Sequence, residues 1–235
     1  MQKLIALVTG ANTGIGKEIA RQLVRAGLTV YVGARDAERG EQAVAELGGD
    51  ARPLLLDVTD AASIDAAALA VDALDVLVNN AGISSEDATP DLVDTDTFRR
   101  VYETNVFGPA AVTNAFLPAL RRSAHARIVN ISSGTGSLTW AVGPQFPHRG
   151  SHAAYRSSKT ALNALTIFYA HALSDDGIKV NALAPGLRRT NLNARAAASE
   201  GDPAEAATGA VRLALLPDDG PSGQFLSWDG TQVPW

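Results

Sequence analysis

The sequence contains no cysteine. That one absence excludes disulfides, thiolate metal sites and a cysteine nucleophile together. It suits a reducing compartment, so a cytoplasmic location is expected. Positive charge is also short: 20 Lys and Arg stand against 25 Asp and Glu, a net charge of −5. With no basic stripe either, a nucleic-acid partner is not expected. The four histidines (His125, His148, His152, His171) lack metal-ligand spacing, and no metal site is expected. No apolar run is long enough to span a bilayer, and the opening apolar run is too short for a signal peptide, so no membrane partner is expected. There is no internal repeat and no low-complexity tail.

What is present suits one large α/β unit. A chain of 235 residues with 46% hydrophobic and 19% charged content is long enough to bury a sizeable core in a single domain, 1–235. Residues 4–9 form a short continuous apolar run, as in a parallel strand buried on both faces. It ends in a glycine turn carrying Gly10, Asn12, Thr13, Gly14, Ile15 and Gly16. A helical pattern follows at once, with Ile15, Ile19, Leu23 and Ala26 on one face and Gly27 closing it. Strand, glycine turn and helix make a phosphate-binding opening. The helix end offers free N–H groups, and glycine lets a ligand approach the backbone.

A second strand, 29–34, ends in Ala34-Arg35-Asp36. Many dinucleotide sites place an acid there to hold the ribose hydroxyls. Here Ala34 leaves room and Arg35 presents a planar fork of donors suited to a phosphate. The reading is NADP(H) preferred over NAD(H), with Asp36 capping the next helix through about residue 47. A third strand, 52–56, leads to Asp57 and Val58, with Asp57 either accepting from adenine or capping a helix. A fourth, 75–78, leads to Asn79, Asn80, Ala81 and Gly82, at the strand end where open α/β sheets bind ligands. A long helix is expected over 96–122 with Asn105 in its interior, a poor place for asparagine unless it has a partner. Arg99, Arg100, Arg121 and Arg122 read as solvated helix faces. A fifth strand, 126–131, runs into Ser132-Ser133-Gly134, and a sixth lies near 180–182, before Pro185-Gly186. Repeated strand–helix units predict a doubly wound parallel sheet (Rossmann) with helices on both faces.

The helical segment 153–173 carries Tyr155 and Lys159. Positions four apart share a helix face, so a phenol and an ammonium can enter one space. A nearby positive charge is expected to lower the phenol pKa.

In this order, the glycine turn, Asn79 to Gly82, Asn105, Ser133, Tyr155, Lys159 and Pro185-Gly186 resemble the short-chain dehydrogenase/reductase family over nearly the whole chain. The turn after the second strand and the final stretch are similar to its NADPH-dependent carbonyl reductase branch. The resemblance implies an oxidoreductase that reduces a ketone or aldehyde, a small-molecule carbonyl, to an alcohol. It implies Tyr155 as proton donor, Lys159 on the nicotinamide ribose, Ser133 on the carbonyl oxygen and Asn105 positioning a water in a proton relay. The glycine turn, Arg35, Asp57, Val58, Asn79, Ala81, Gly82, Pro185, Gly186, Leu187 and Thr190 would join Tyr155 and Lys159 in holding the cofactor. Ser133 lies 22 positions before Tyr155, against about thirteen in compact members. Ser132 and Ser137 are therefore rivals, although Ser133 keeps its place just after the strand. The extra residues, 134–152, are expected to wall the substrate pocket with Trp140 and Phe146. Segment 187–203 is expected to form a lid. A ketoreductase acting on a 3-oxoacyl carrier protein, docked through the paired arginines, and a non-catalytic NADP-binding protein are the alternatives. A dimer or tetramer would fit, as would a monomer.

Overall fold

The structure, a computed structural model, describes residues 3–85, 88–144 and 150–235. Seven parallel strands form one sheet in the order β3-β2-β1-β4-β5-β6-β7. They are β1 (Ile5–Val8), β2 (Thr29–Ala34), β3 (Ala51–Leu55), β4 (Val76–Asn79), β5 (Arg127–Ile131), β6 (Lys179–Ala184) and β7 (Phe225–Ser227). This is the expected doubly wound sheet. The order reverses between β1 and β4, which opens a crevice at the strand ends.

Side chains on a strand alternate between faces, and the core divides accordingly. Ala6, Val8, Val30, Val32, Val76, Val78 and Val129 pack on one face against α1 (Gly14–Arg25) and α9 (Pro203–Ala214). Leu7, Leu77, Ile128 and Val180 pack on the other against α3 (Ala61–Leu69), α5 (Gly108–Leu120) and α7 (Ala153–Ala172). Remaining helices are α2 (Ala37–Leu47), α4 (Thr95–Tyr102) and the short α6 (Leu138–Ala141) and α8 (Ala194–Ala197). No helix among the described residues is long and apolar enough to cross a membrane.

Two expectations need adjustment. The helix expected over 96–122 is found over 95–120, but a π-helical turn, Glu103–Phe107, interrupts its regular winding between α4 and α5. Asn105 lies in that turn, and Pro109 at the start of α5 begins the second helix. Asp57 does not cap α3. Asp60 does so, accepting from the Ala62 N–H at 3.0 Å, while Asp57 accepts from the N–H and hydroxyl of Thr59.

Candidate active site

A cleft of about 620 Å³ lies over the β1 and β4 ends. Gly10, Asn12, Thr13, Gly14, Ile15 and Gly16 form one wall. Gly14 opens α1 at φ +58°, a conformation that costs glycine little. Thr13, the N-cap, makes no side-chain capping bond, and the first turn carries no acid. These N–H groups therefore suit an anionic ligand such as a pyrophosphate. Gly16 is needed for a different reason. A Cβ there would stand 2.3 Å from Asn80 Nδ2 and 2.6 Å from the Gly10 carbonyl oxygen. Asn80 in turn donates to the Thr9 and Gly10 carbonyls, tying the two strand-end turns together. Gly16→Ala should therefore cost about 1–3 kcal/mol, the usual range for overpacking. A thermal melt without ligand, compared with the wild type, measures the loss; an unchanged Tm would refute the close packing.

At one end of the cleft Arg35, Asp36, Arg39, Asp57 and Val58 line it. Asp36 caps α2, accepting from the Arg39 N–H at 3.0 Å. Arg39, which the sequence reading passed over, stands in the first turn of α2 on the same rim as Arg35. Asp57 is held below the usual carboxylate range by the Thr59 N–H and hydroxyl, with Arg35 nearby adding a smaller pull.

At the far end Tyr155 and Lys159 come together on α7. The Lys159 Nζ lies 5.8 Å from the Tyr155 ring centroid and donates to the Ile131 carbonyl at 2.9 Å. Tyr155 is half-buried and lines the cleft. Burial pushes the phenol above its ordinary pKa, and Ser133 pulls it only part of the way back. The direction is opposite to the expected lowering, because desolvation is the largest cause. Lys159 is shifted too, down to about 8, by burial alone.

The three serines have different partners. Ser132 lines the cleft and donates to Asn163 Oδ1 at 2.5 Å. Ser137 caps α6, accepting from the Trp140 N–H at 3.1 Å. Ser133 is not on the cleft wall; its hydroxyl pairs with Thr135 Oγ1 at 2.8 Å and opposes the upward shift of the Tyr155 phenol. Asn105 is fully buried. Its amide accepts from the Ile83 N–H and donates to the Ile83 carbonyl, both at 2.9 Å, and donates to Ser158 Oγ at 3.0 Å. It thus pins the loop after β4 to α7, the partner its odd position in a helix demanded.

Several expected residues stand elsewhere. Asn79 does not line the cleft; its side chain donates to Thr113 and Asn130 on the α5 side of the sheet. Its neighbour Asn80 lines the cleft instead, with Ala81, Gly82 and the unforeseen Ile83. Pro185 and Thr190 line it, whereas Gly186 packs beside Trp228 and Leu187 is exposed. Leu192, also unforeseen, joins the wall. Trp140 is not on that wall: it covers Gly134, where a Cβ would lie 2.7 Å from its ring, and packs on Phe225 and Val233 beneath. Phe146 lies outside the described residues, as does His148.

A model of the short chain dehydrogenase family matches residues 4–201. The short-chain dehydrogenase anuI of Penicillium roqueforti is 39% identical over 204 residues, covering 81% of each chain. The NADPH-bound carbonyl reductase from chicken fatty liver superimposes with a TM-score of 0.85 at 31% identity, over the whole of both chains. The 3-ketoacyl-(acyl-carrier-protein) reductase of Brucella melitensis, solved with NADH, superimposes at 0.84 with 26% identity, over 95% of this chain and 96% of that one.

Proposed function

The chain belongs to the short-chain dehydrogenase family, oxidoreductases that bind a nicotinamide cofactor, and from that premise we propose that it reduces a ketone or aldehyde to an alcohol using NADPH. The observation that carries the reading is the convergence of the Tyr155 ring and the buried Lys159 ammonium, 5.8 Å apart, with Ser133 near enough to oppose the upward shift of the phenol, at one end of a dinucleotide-sized cleft.

The nicotinamide, when bound, supplies the hydride. The protein's own groups manage the oxygen. A carbonyl oxygen entering between Ser133 and Tyr155 accepts from both hydroxyls, and both bonds strengthen as negative charge develops on it. Tyr155 then gives up its proton to that oxygen. A phenol held above its ordinary pKa stays protonated at neutral pH, the state a donor needs. Lys159, still charged below about pH 8, spends one N–H on Ile131 and has others for the ribose hydroxyls. It also offsets the charge left on the phenolate oxygen. Asn105 fixes Ile83 and Ser158 around this group, which makes it a positioning residue.

Preference for the 2′-phosphate rests on Arg35, reinforced by Arg39, with the Asp36 carboxylate engaged in capping α2. One charge-assisted bond contributes about 1.5–3 kcal/mol. Arg35→Ala should therefore reduce the NADPH/NADH ratio of kcat/KM about ten- to a hundredfold, and an unchanged ratio would remove the cofactor assignment. The reaction itself is tested by following NADPH oxidation with free ketones, quinones and aldehydes against 3-oxoacyl groups on a carrier protein. Turnover of free carbonyls is expected. Arg99 pairs with Asp96 at 2.6 Å and Arg121 with Asp176 at 2.9 Å, so these arginines make a poor docking patch. Turnover of the carrier-bound substrate alone would favour the rival ketoreductase, and no turnover of either would favour a non-catalytic binder.

A further inference from the structure

Segment 187–203 is closed at its neck and free along most of its length. The Arg189 N–H donates to the Gly201 carbonyl at 2.8 Å, and Ser199 Oγ donates to the Leu187 carbonyl at 3.2 Å. Arg188 locks the same neck from within. It is 8% exposed, donates from Nε to the Pro185 carbonyl at 2.9 Å, pairs with Glu205 at 2.9 Å and lies over the Trp228 ring at 4.2 Å. A buried guanidinium held on three sides does not move cheaply.

Beyond the neck, Thr190, Asn191 and Leu192 line the cleft, and Ile83 lines it from the loop after β4. Among the described residues, one hydrogen bond joins 190–198 to the chain outside this segment. Asn193 Nδ2 donates to Ser84 Oγ at 3.1 Å. The same Asn193 caps α8, its Oδ1 accepting from the Ala196 N–H at 2.8 Å. One side chain thus organises the tip of the segment and fastens it to the loop that follows Ile83.

We propose that Asn193 and Ser84 form the latch of a lid that pivots on the Arg188 neck, and that breaking this one bond gates release of the bound dinucleotide. The inference rests on the family's nicotinamide cofactor and not on the 2′-phosphate preference. It is tested with whichever of NADPH and NADH binds more tightly, so an error in that preference leaves the test intact.

The experiment measures cofactor dissociation by rapid mixing, following nicotinamide fluorescence, without substrate. Losing one neutral hydrogen bond should speed dissociation about two- to tenfold. Ser84→Ala removes the acceptor. Asn193→Ser removes the reach to Ser84 but keeps a good N-cap. Both should accelerate release with little change in Tm. The double variant should release no faster than the faster single, because both remove the same bond. Asn193→Asp should stay near the wild-type rate, since its carboxylate can cap α8 and accept from the Ser84 hydroxyl. A purely structural role would lower Tm without this pattern of rates. Unchanged dissociation in both single variants, or additive acceleration in the double, overturns the latch.

Discussion

Tyr155→Phe is expected to lower kcat for carbonyl reduction by about 10²–10⁴-fold, the usual loss when a positioned general acid is removed, with the dinucleotide dissociation constant unchanged. The split follows from the geometry. The substitution deletes one oxygen and keeps the ring, so the cleft wall and the seat of Lys159 beside the ring survive. The deleted oxygen is the proposed proton donor. Ser133→Ala should also slow the chemistry, but by less, because it removes a charge-stabilising bond and leaves the proton donor in place. The pH profile adds a sign. The phenol is shifted upward, so Tyr155 stays protonated across neutral pH and beyond. Lys159 loses its charge as pH rises through about 8. Reduction should therefore be flat below that pH and fall above it, with the lysine titrating first. A Tyr155→Phe enzyme within threefold of wild-type kcat, assayed at saturating cofactor, would end the proton-donor assignment. A matching loss of cofactor affinity would mean the ring, and not its hydroxyl, is what matters.

The parts of this site that could be read from the sequence are those with a short-range signal. The second strand was expected over 29–34 and is found there as Thr29–Ala34, bounded by Gly27 and by the Asp36 cap. Tyr155 and Lys159 share a face because they are four apart on one uninterrupted helix. Asn105 was recognised as misplaced in a regular helix, but the π-turn was not foreseen. An insertion of one residue hardly disturbs an apolar periodicity, although Gly108-Pro109 was a readable restart. The Asn79 error was avoidable too. Asn79 is two residues after Leu77, whose face packs on α5 and α7, so alternation alone sends it away from the crevice. Helix α9 carries an Asp202 cap and Pro203 at its first position, signals hidden by assigning 203 to the lid. Position just after the strand favoured Ser133 in the sequence, but the long-range partner of Ser132 was not readable there. What distinguishes the three serines is Asn163 of α7 taking Ser132, the α6 N-terminus taking Ser137 and Thr135 pairing with Ser133. Trp140 likewise reads as a pocket wall by composition, yet Gly134 leaves it a flat seat and the β7 residues a floor.

Lys159→Met should make the protein more stable while impairing it as an enzyme. Lys159 is 4% exposed, and its ammonium makes one hydrogen bond among the described residues, to the Ile131 carbonyl. A fall in pKa from 10.5 to about 8, at about 1.36 kcal/mol per unit, places the cost of keeping that charge buried at about 3 kcal/mol. Methionine fills a similar volume without the charge. Leaving the Ile131 carbonyl unpaired costs about 1 kcal/mol in return. The net gain of about 2 kcal/mol corresponds to about 4–8 °C in Tm for a domain of this size. The sign can be checked against pH. The folded pKa lies below the unfolded one, so between about 8 and 10.5 the unfolded chain binds more protons, and wild-type stability from this group rises with pH. The penalty is fully present below about 8 and gone above 10.5. The advantage of Lys159→Met should therefore be largest at pH 7 and vanish by about pH 10.5. Activity moves the other way. The charged donor proposed for the ribose hydroxyls is lost, and cofactor affinity should fall about ten- to a hundredfold, with kcat falling as well. Melting curves at pH 7 and pH 10, beside a cofactor titration, read both effects. A variant less stable than wild type at pH 7 would mean that Lys159 is held by more than one carbonyl, and that its place in the site is structural before it is chemical.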